Sequence, residues 1–169
     1  MVRVRSIRAT ASRYALWPAG RVKVHDGCMT DDAMADEREF NRQNIEEFRT
    51  NGGKVGGQFE GFPLLILTSI GAKSGDERVN LIGYFDIDDK IYVIGSAAGR
   101  PASPAWVFNL RAHPEVVIEI GADPPRTVVA KELPRAERDR IYKTVVERAP
   151  GFGEYEKRTD RVIPVFELA

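Results

Sequence analysis

Residues 64–94 read LLILTSIGAKSGDERVNLIGYFDIDDKIYVI, and this run decides the fold class. Leu64-Leu65-Ile66-Leu67-Thr68 is short and solidly apolar, the pattern of a strand covered on both faces. Gly71-Ala72-Lys73-Ser74-Gly75 turns the chain, and a second strand runs from Val79 to Phe85. Asp88-Asp89 makes a tight turn, and Ile91-Tyr92-Val93-Ile94 returns. Connections this short join antiparallel neighbours, because a parallel pair needs a crossover of a dozen or more residues. The centre of the chain is therefore a three-stranded meander.

Downstream, a polar, proline-punctuated loop spans 96–104. Ser103-Pro104 then opens a helix with proline at its first position, running through Trp106, Asn109 and Leu110 to Ala112. His113-Pro114 stops it, since the residue before a proline is pushed out of the helical region. Val116-Val117-Ile118-Glu119-Ile120 and Thr127-Val128-Val129-Ala130 read as two more strands. A helix follows over 135–148, Pro150-Gly151 breaks it, a short helical turn passes through Tyr155, and 162–168 ends the chain as a strand. Upstream, Asp36 is placed to cap a helix over 37–50, with Glu39 at the capping-box position and Phe40, Ile45 and Phe48 as its apolar stripe. Asn51-Gly52-Gly53 ends that helix, and the glycine-rich stretch to Gly57 is a pliable loop. About six strands, mostly antiparallel, with helices inserted singly, do not make the regular alternation of a doubly wound sheet. The expected class is α+β, a small closed or split β-barrel with flanking helices.

At 169 residues the chain has the length of one domain. Apolar residues make up 43% and charged residues 30%, a globular balance. Lysine plus arginine number 25 and so do aspartate plus glutamate, so no net field draws the chain to nucleic acid, and no nucleic-acid partner is expected. One cysteine, Cys28, excludes a disulfide framework or a multi-cysteine metal site, and two histidines leave little for imidazole ligation, so no metal is expected. The balance hides an asymmetry: Arg3, Arg5, Arg8, Arg13, Arg21 and Lys23 face Asp26 alone within residues 1–28. That segment is arginine-rich like a transit peptide but shows no clean apolar face. Residues 1–33 are read as a basic, poorly ordered extension ahead of start-like methionines at Met29 and Met34, and 34–169 as the domain. No stretch approaches the roughly 20 apolar residues that span a bilayer.

Several catalytic templates fail. The glycine loop 52–57 precedes a strand instead of following one, so it is no dinucleotide fingerprint. Gly71-Ala72-Lys73-Ser74 lacks the spacing of a P-loop. A Ser-His-Asp triad would need His113, which sits at a helix end. Asp86, Asp88 and Asp89 belong to a short hairpin rather than a metal loop. What remains is a pattern for an anionic, planar ligand. Lys73, Ser74 and Arg78 flank a glycine turn, where a hydroxyl, backbone N–H groups and two cations can converge on a phosphate; the bland alternative is a solvated hairpin. Trp106, in the first turn of its helix, is either a core anchor or a ring-stacking face. Lys54 in the glycine loop adds charge at a ligand or does nothing.

Four blocks, in order and at matching spacing, resemble the deazaflavin (coenzyme F420)-dependent nitroreductase and quinone reductase family of actinobacteria. They are residues 52–57, residues 67–75 with Arg78, Pro104-Ala105-Trp106-Val107-Phe108-Asn109-Leu110, and Pro150-Gly151-Phe152 through Tyr155 to Thr159-Asp160-Arg161-Val162-Ile163-Pro164. Together the likeness covers about 37–168. The resemblance implies a split β-barrel of the flavin-reductase or FMN-binding type that takes reduced coenzyme F420 and delivers hydride to a quinone or nitro acceptor. It also implies that Lys73, Ser74, Gly75 and Arg78 hold the cofactor's phosphate and acidic tail, and that Pro104, Ala105, Trp106 and Asn109 flank its ring. Ser96 and Tyr155 match polar positions on the acceptor side. The family usually has Arg where this chain has Ala72.

With the hard chemistry carried by a cofactor, the protein needs only to clamp, align and stabilise developing charge, which fits the lack of an acid–base dyad. Tyr155 or Ser96 is the candidate hydroxyl donor, a structural hydroxyl being the alternative for each. Two further functions stay open: a non-catalytic module that sequesters the deazaflavin, and a split barrel that uses FMN. The expected location is the cytoplasm, free or against the inner face of the cell membrane. The sequence is silent on oligomeric state.

Overall fold

Six strands form the barrel: β1 (Leu64–Ile70), β2 (Glu77–Ile87), β3 (Lys90–Ile94), β4 (Glu115–Ile120), β5 (Arg126–Glu132) and β6 (Val165–Leu168). All neighbours are antiparallel, in the closed order β1-β2-β3-β6-β5-β4. The structure, a computed structural model, describes the backbone from residue 31 and side chains from residue 35; nearly all of the expected extension over 1–33 lies outside the described residues. Among the described residues, four helices flank the barrel: α1 (Asp31–Thr50), α2 (Ala105–Ala112), α3 (Arg135–Arg148) and α4 (Gly151–Lys157). Among the described residues no helix is long and apolar enough to cross a membrane.

Closure depends on two strands that change partner. β2 pairs with β1 up to Gly83 and with β3 from Tyr84, and β5 pairs with β4 up to Val129 and with β6 from Ala130. The central hairpin is the expected one: Asp88 and Asp89 both take positive φ (53° and 61°), the two-residue turn whose twist matches its strands. The first half of β2 has β1 on one side only. Asn41 of α1 covers that other edge, donating to Val79 O at 3.0 Å and accepting from Leu81 N at 3.1 Å.

Period-two alternation sorts the apolar side chains into three clusters. Leu65, Leu67, Val93, Ile118 and Phe166 fill the interior, and α2 stoppers it with Trp106, Val107 and Leu110. Leu64 and Ile66 face the other way, under Ile45 and Phe48 of α1. Phe85, Tyr92 and Val165 meet Ile141, Tyr142 and Val145 of α3 and Phe152 and Tyr155 of α4. β1 is thus buried on both faces, as its unbroken apolar run implied. Each large side chain so buried contributes about 1.5–3 kcal/mol.

Local readings shift at element ends. α1 begins at Asp31, so Asp36 lies inside it rather than capping it. Glu39 makes no capping box either; it accepts from Arg42 (2.7 and 2.9 Å) and Gln43 (2.8 Å) along the helix face. The alanines, methionine and glutamate over 31–39 keep enough helix propensity to carry the helix past Asp36. Pro104 is the N-cap of α2, extended at φ −62° and ψ 152°, not its first helical residue. The last strand starts at Val165, not 162, because proline at 164 has no N–H for a ladder. Two 3-10 turns, Gly57–Phe59 and Ala97–Gly99, occupy stretches with no periodic signal. At the far end of α1, Gly53 (φ 89°) donates back to Phe48 O at 2.7 Å, and a Cβ there would lie 2.3 Å from Gly121 Cα. Only glycine permits that approach, which seats α1 on the β4–β5 turn.

Candidate functional site

The β1–β2 connection folds on itself through short backbone bonds: Gly71 N donates to Asp76 O at 2.7 Å and Gly75 N to Gly71 O at 2.9 Å. Gly75 takes φ 73°, which a side chain would resist. Asn109 of α2 tethers this loop from below. Its Oδ1 accepts from Ala72 N at 3.0 Å, and its Nδ2 donates to the buried Ser69 hydroxyl at 3.2 Å. On top, Lys73, Ser74 and Arg78 are exposed. Arg78 reaches Ser74 Oγ and Asp76 Oδ2, each at a long 3.3 Å. An exposed ion pair of this kind contributes at most about 1 kcal/mol, so the guanidinium is available to a stronger anion. Lys73, Ser74, Arg78 and Asn109 line a groove of about 1120 Å³ that runs between the loop and α2, with Ala105 and Arg111 on its far wall. Arg111 is held by Glu132 through two bonds of 2.7 and 2.8 Å, and its guanidinium keeps the Glu132 carboxyl below the usual carboxylate range.

A second hollow of about 290 Å³ opens further along β2. Its walls are largely apolar: Phe59, Phe62, Ile82, Trp106, Phe152 and Tyr155. Ser96 and Pro104 also line it, with the 3-10 turn at Ala97. Trp106 packs edge-on to Phe166 at 6.1 Å in the core and also lines this cleft. Tyr155 is 3% exposed and stands edge-on to Phe152, whose ring in turn meets Phe85. A third depression of about 390 Å³ shares Arg38, Asn41 and Asn80 with the groove and Phe59 and Leu81 with the cleft. The three form one trough along the half of β2 that lacks a strand on its second side. The geometry follows from the partner change: the half of β2 that pairs with β1 has no strand on its other edge, and the trough runs along it.

Nine of the expected site residues line this trough. Lys73, Ser74, Ala105 and Asn109 sit in the groove with Arg78, while Pro104 and Trp106 sit in the cleft with Ser96 and Tyr155. Gly75 shapes the loop without lining either. Lys54 lies elsewhere, in a hollow with Glu47, Val55, Tyr84 and Asp86 that touches the trough only through Phe59 and Phe62. Asn109 has both ends of its amide engaged in the loop tether, which makes it a support for the groove.

Two arginines hold the site together in ways the sequence reading does not assign. Arg161 donates to Gly95 O (3.0 Å), Ser96 O (2.8 Å), Arg100 O (3.0 Å) and Ser103 Oγ (3.2 Å), all on the connection between β3 and α2. Burial lowers its pKa from the ordinary arginine value. Arg138 of α3 is buried over the Tyr142 ring at 4.0 Å and donates to Ile163 O (2.8 Å) and Glu156 (2.8 Å). In the sequence Arg161 stands only within a block of family likeness, and nothing along the chain signals its long-range partners.

With this geometry in view, the likenesses to known proteins are specific. A family model described as F420H(2)-dependent quinone reductase matches residues 40–169. An F420H(2)-dependent quinone reductase of Mycobacterium tuberculosis is 35% identical over 126 residues, covering 72% of this chain and 83% of that relative. A protein of Mycobacterium bovis matches with the same identity and the same coverage. Among solved structures, an F420-H2 dependent reductase superposes with a TM-score of 0.57 at 35% identity, covering 63% of this chain and 94% of the other. Another, described as a domain-swapped dimer, gives a TM-score of 0.59 at 33% identity over 80% of this chain and 98% of its own.

Proposed function

The chain belongs to the F420H(2)-dependent quinone reductase family, and from that premise we propose that it is an oxidoreductase that binds reduced coenzyme F420 in the groove and a quinone in the cleft. The observation that carries this reading is the single trough, cationic at one end and aromatic at the other. An anionic tail and a flat, neutral acceptor need opposite surroundings, and here the two are continuous.

The donor set fits the cofactor. Lys73 and Arg78 offer full charges, Ser74 a hydroxyl, and the N–H groups of Lys73 and Ser74 make no internal hydrogen bond among the described residues. Such a loop receives phosphate and carboxylate oxygens through charge-assisted bonds. When bound, F420H2 supplies hydride; the protein binds, aligns and stabilises charge. Lys73, Ser74 and Arg78 hold the tail, Pro104, Ala105 and Trp106 wall the ring, and Asn109 holds the loop. The aromatic lining of the cleft excludes water, which strengthens any hydrogen bond made to the acceptor there. Tyr155 or Ser96 donates to the acceptor oxygen as negative charge develops on it and delivers the closing proton.

Quinones are the acceptors this reading favours, and nitro compounds the secondary class, since either presents a flat ring and oxygens that gain charge. We place the protein in the cytoplasm, with access to the inner face of the membrane where lipid-tailed quinones reside. Phe40, 47% exposed on α1 and 6.1 Å from Phe59 of the cleft, supports that access. The test mixes purified protein with F420H2 and a soluble quinone, then a nitroaromatic, and follows cofactor oxidation. Oxidation by the quinone is expected. Tight binding without oxidation would instead indicate a sequestering module, and purification with bound FMN a flavin-using barrel.

A further inference from the structure

We propose that Arg161 is a positioning residue that sets the alignment of the two ends of the trough by clamping the loop between them. The inference rests on the reading of groove and cleft above. Residues 95–103 form the partition: Ser96, Ala97 and Ala98 face the cleft, and Ser103 faces the groove. Arg161 lines neither. Its guanidinium grips the partition from behind at four points, three carbonyls and the Ser103 hydroxyl, all between 2.8 and 3.2 Å.

Three features set this apart from an ordinary surface arginine. Every acceptor is neutral, and among the described residues no carboxylate lies within ion-pair distance of Arg161. A half-buried cation without a counter-ion is tolerated only where its donors are satisfied, so the carbonyls hold Arg161 as firmly as it holds them. The loop it grips is strained: Ala97 and Ala98 take φ of 46° and 54°, the left-handed region that non-glycine residues avoid. Such residues persist where the surroundings over-determine them, and they cluster at ligand sites. Finally, Arg161 is itself planted, because Arg138 bonds the carbonyl of Ile163 two residues on and links it to α3 and α4. The same turn rests on the helix that carries Tyr155; a Cβ at Gly99 would lie 2.8 Å from Tyr155 O. Releasing Arg161 therefore frees one loop that borders both the groove and the cleft, while the charges at Lys73 and Arg78, on a separate loop, stay where they are.

The test uses full-length Arg161→Lys and Arg161→Met. Amide hydrogen exchange over 95–103 reads the clamp directly, without cofactor or acceptor. F420 affinity, and KM and kcat for a soluble quinone, read its consequence, with thermal unfolding as control. We expect faster exchange confined to this loop in both variants and F420 affinity within about threefold of the parent. The kcat should fall about tenfold to a hundredfold, the scale on which small misplacements act. Arg161→Lys keeps the charge but not the fork, so it should recover little. Unchanged loop exchange, or a lower melting temperature with unaltered kcat in the folded protein, overturns the proposal. Full rescue by Arg161→Lys overturns it too, in favour of a purely electrostatic role. Failure of the parent protein to oxidise F420H2 would instead remove the functional reading, and the alignment claim with it.

Discussion

The loop at 71–78 and the loop at 95–103 border the same trough and are built in opposite ways. The first presents exposed charges, gets its positive φ from Gly75, and is tied down by one side chain, Asn109. The second presents small residues to an apolar cleft, puts alanines where glycine would be easier, and is held by a guanidinium with four bonds. An anion site works facing water, because charge and charge-assisted bonds act there with little packing behind them. A cleft for a neutral ring must shed water, and that requires support from several elements. The difference predicts that substitutions near the cleft cost stability or rate, while those in the groove cost mainly affinity and little stability.

The largest effect tests the packing half. Phe152 is 2% exposed and contacts both Phe85 and Tyr155, so Phe152→Ala should destabilise the fold by about 3–5 kcal/mol. Lys73→Ala should leave unfolding where it was; equal losses in a denaturant titration would abolish the contrast. Next comes Tyr155→Phe, which keeps the ring and removes the hydroxyl. Turnover with a quinone should drop roughly ten- to a thousandfold, with F420 affinity unchanged. Steady-state rates matching the parent would leave Ser96 or water as the donor.

In the groove, Lys73→Ala or Arg78→Ala should each weaken F420 binding by about 1–3 kcal/mol, and added salt should weaken the parent's binding too. Both variants binding like the parent at low salt would make the loop a solvated hairpin. The smallest effect belongs to the rim pair Arg111–Glu132. Arg111 holds the Glu132 pKa below its ordinary 4.5, so the pair's stabilisation is fully present above that value and is lost as pH falls through the lowered one. Both side chains are more than a third exposed, so Glu132→Gln should cost about 0.2–1 kcal/mol at neutral pH and remove that acid dependence. A larger loss in pH-dependent unfolding would mean that the groove rim is structural after all.

How legible each region was follows from the same contrast. Lys73, Ser74 and Arg78 stand within six positions, so their convergence could be read along the chain. The meander was legible for a similar reason: two-residue and glycine turns permit only antiparallel neighbours. The cleft draws on Phe59, Ile82, Ser96, Trp106 and Tyr155, and no spacing rule relates positions nearly a hundred residues apart. Ser96 and Tyr155 came into view through family likeness, not through chemistry read from their neighbours. Lys54 shows the reverse case, a cation beside a glycine loop whose location faces a different hollow.

The sequence by itself determined the strands, the tight turns, the class of fold and the presence of a concentrated basic loop, since these depend on periodicity and on residues a few bonds apart. Only the tertiary structure decided that β6 inserts between β3 and β5, that β2 changes partner at Gly83, and that α1 rather than a strand meets the other edge of its first half. It also decided what Arg161 does. Its acceptors, three carbonyls and a hydroxyl, lie about 60 residues away along the chain, and only the fold brings them to a guanidinium whose burial requires that its donors be satisfied.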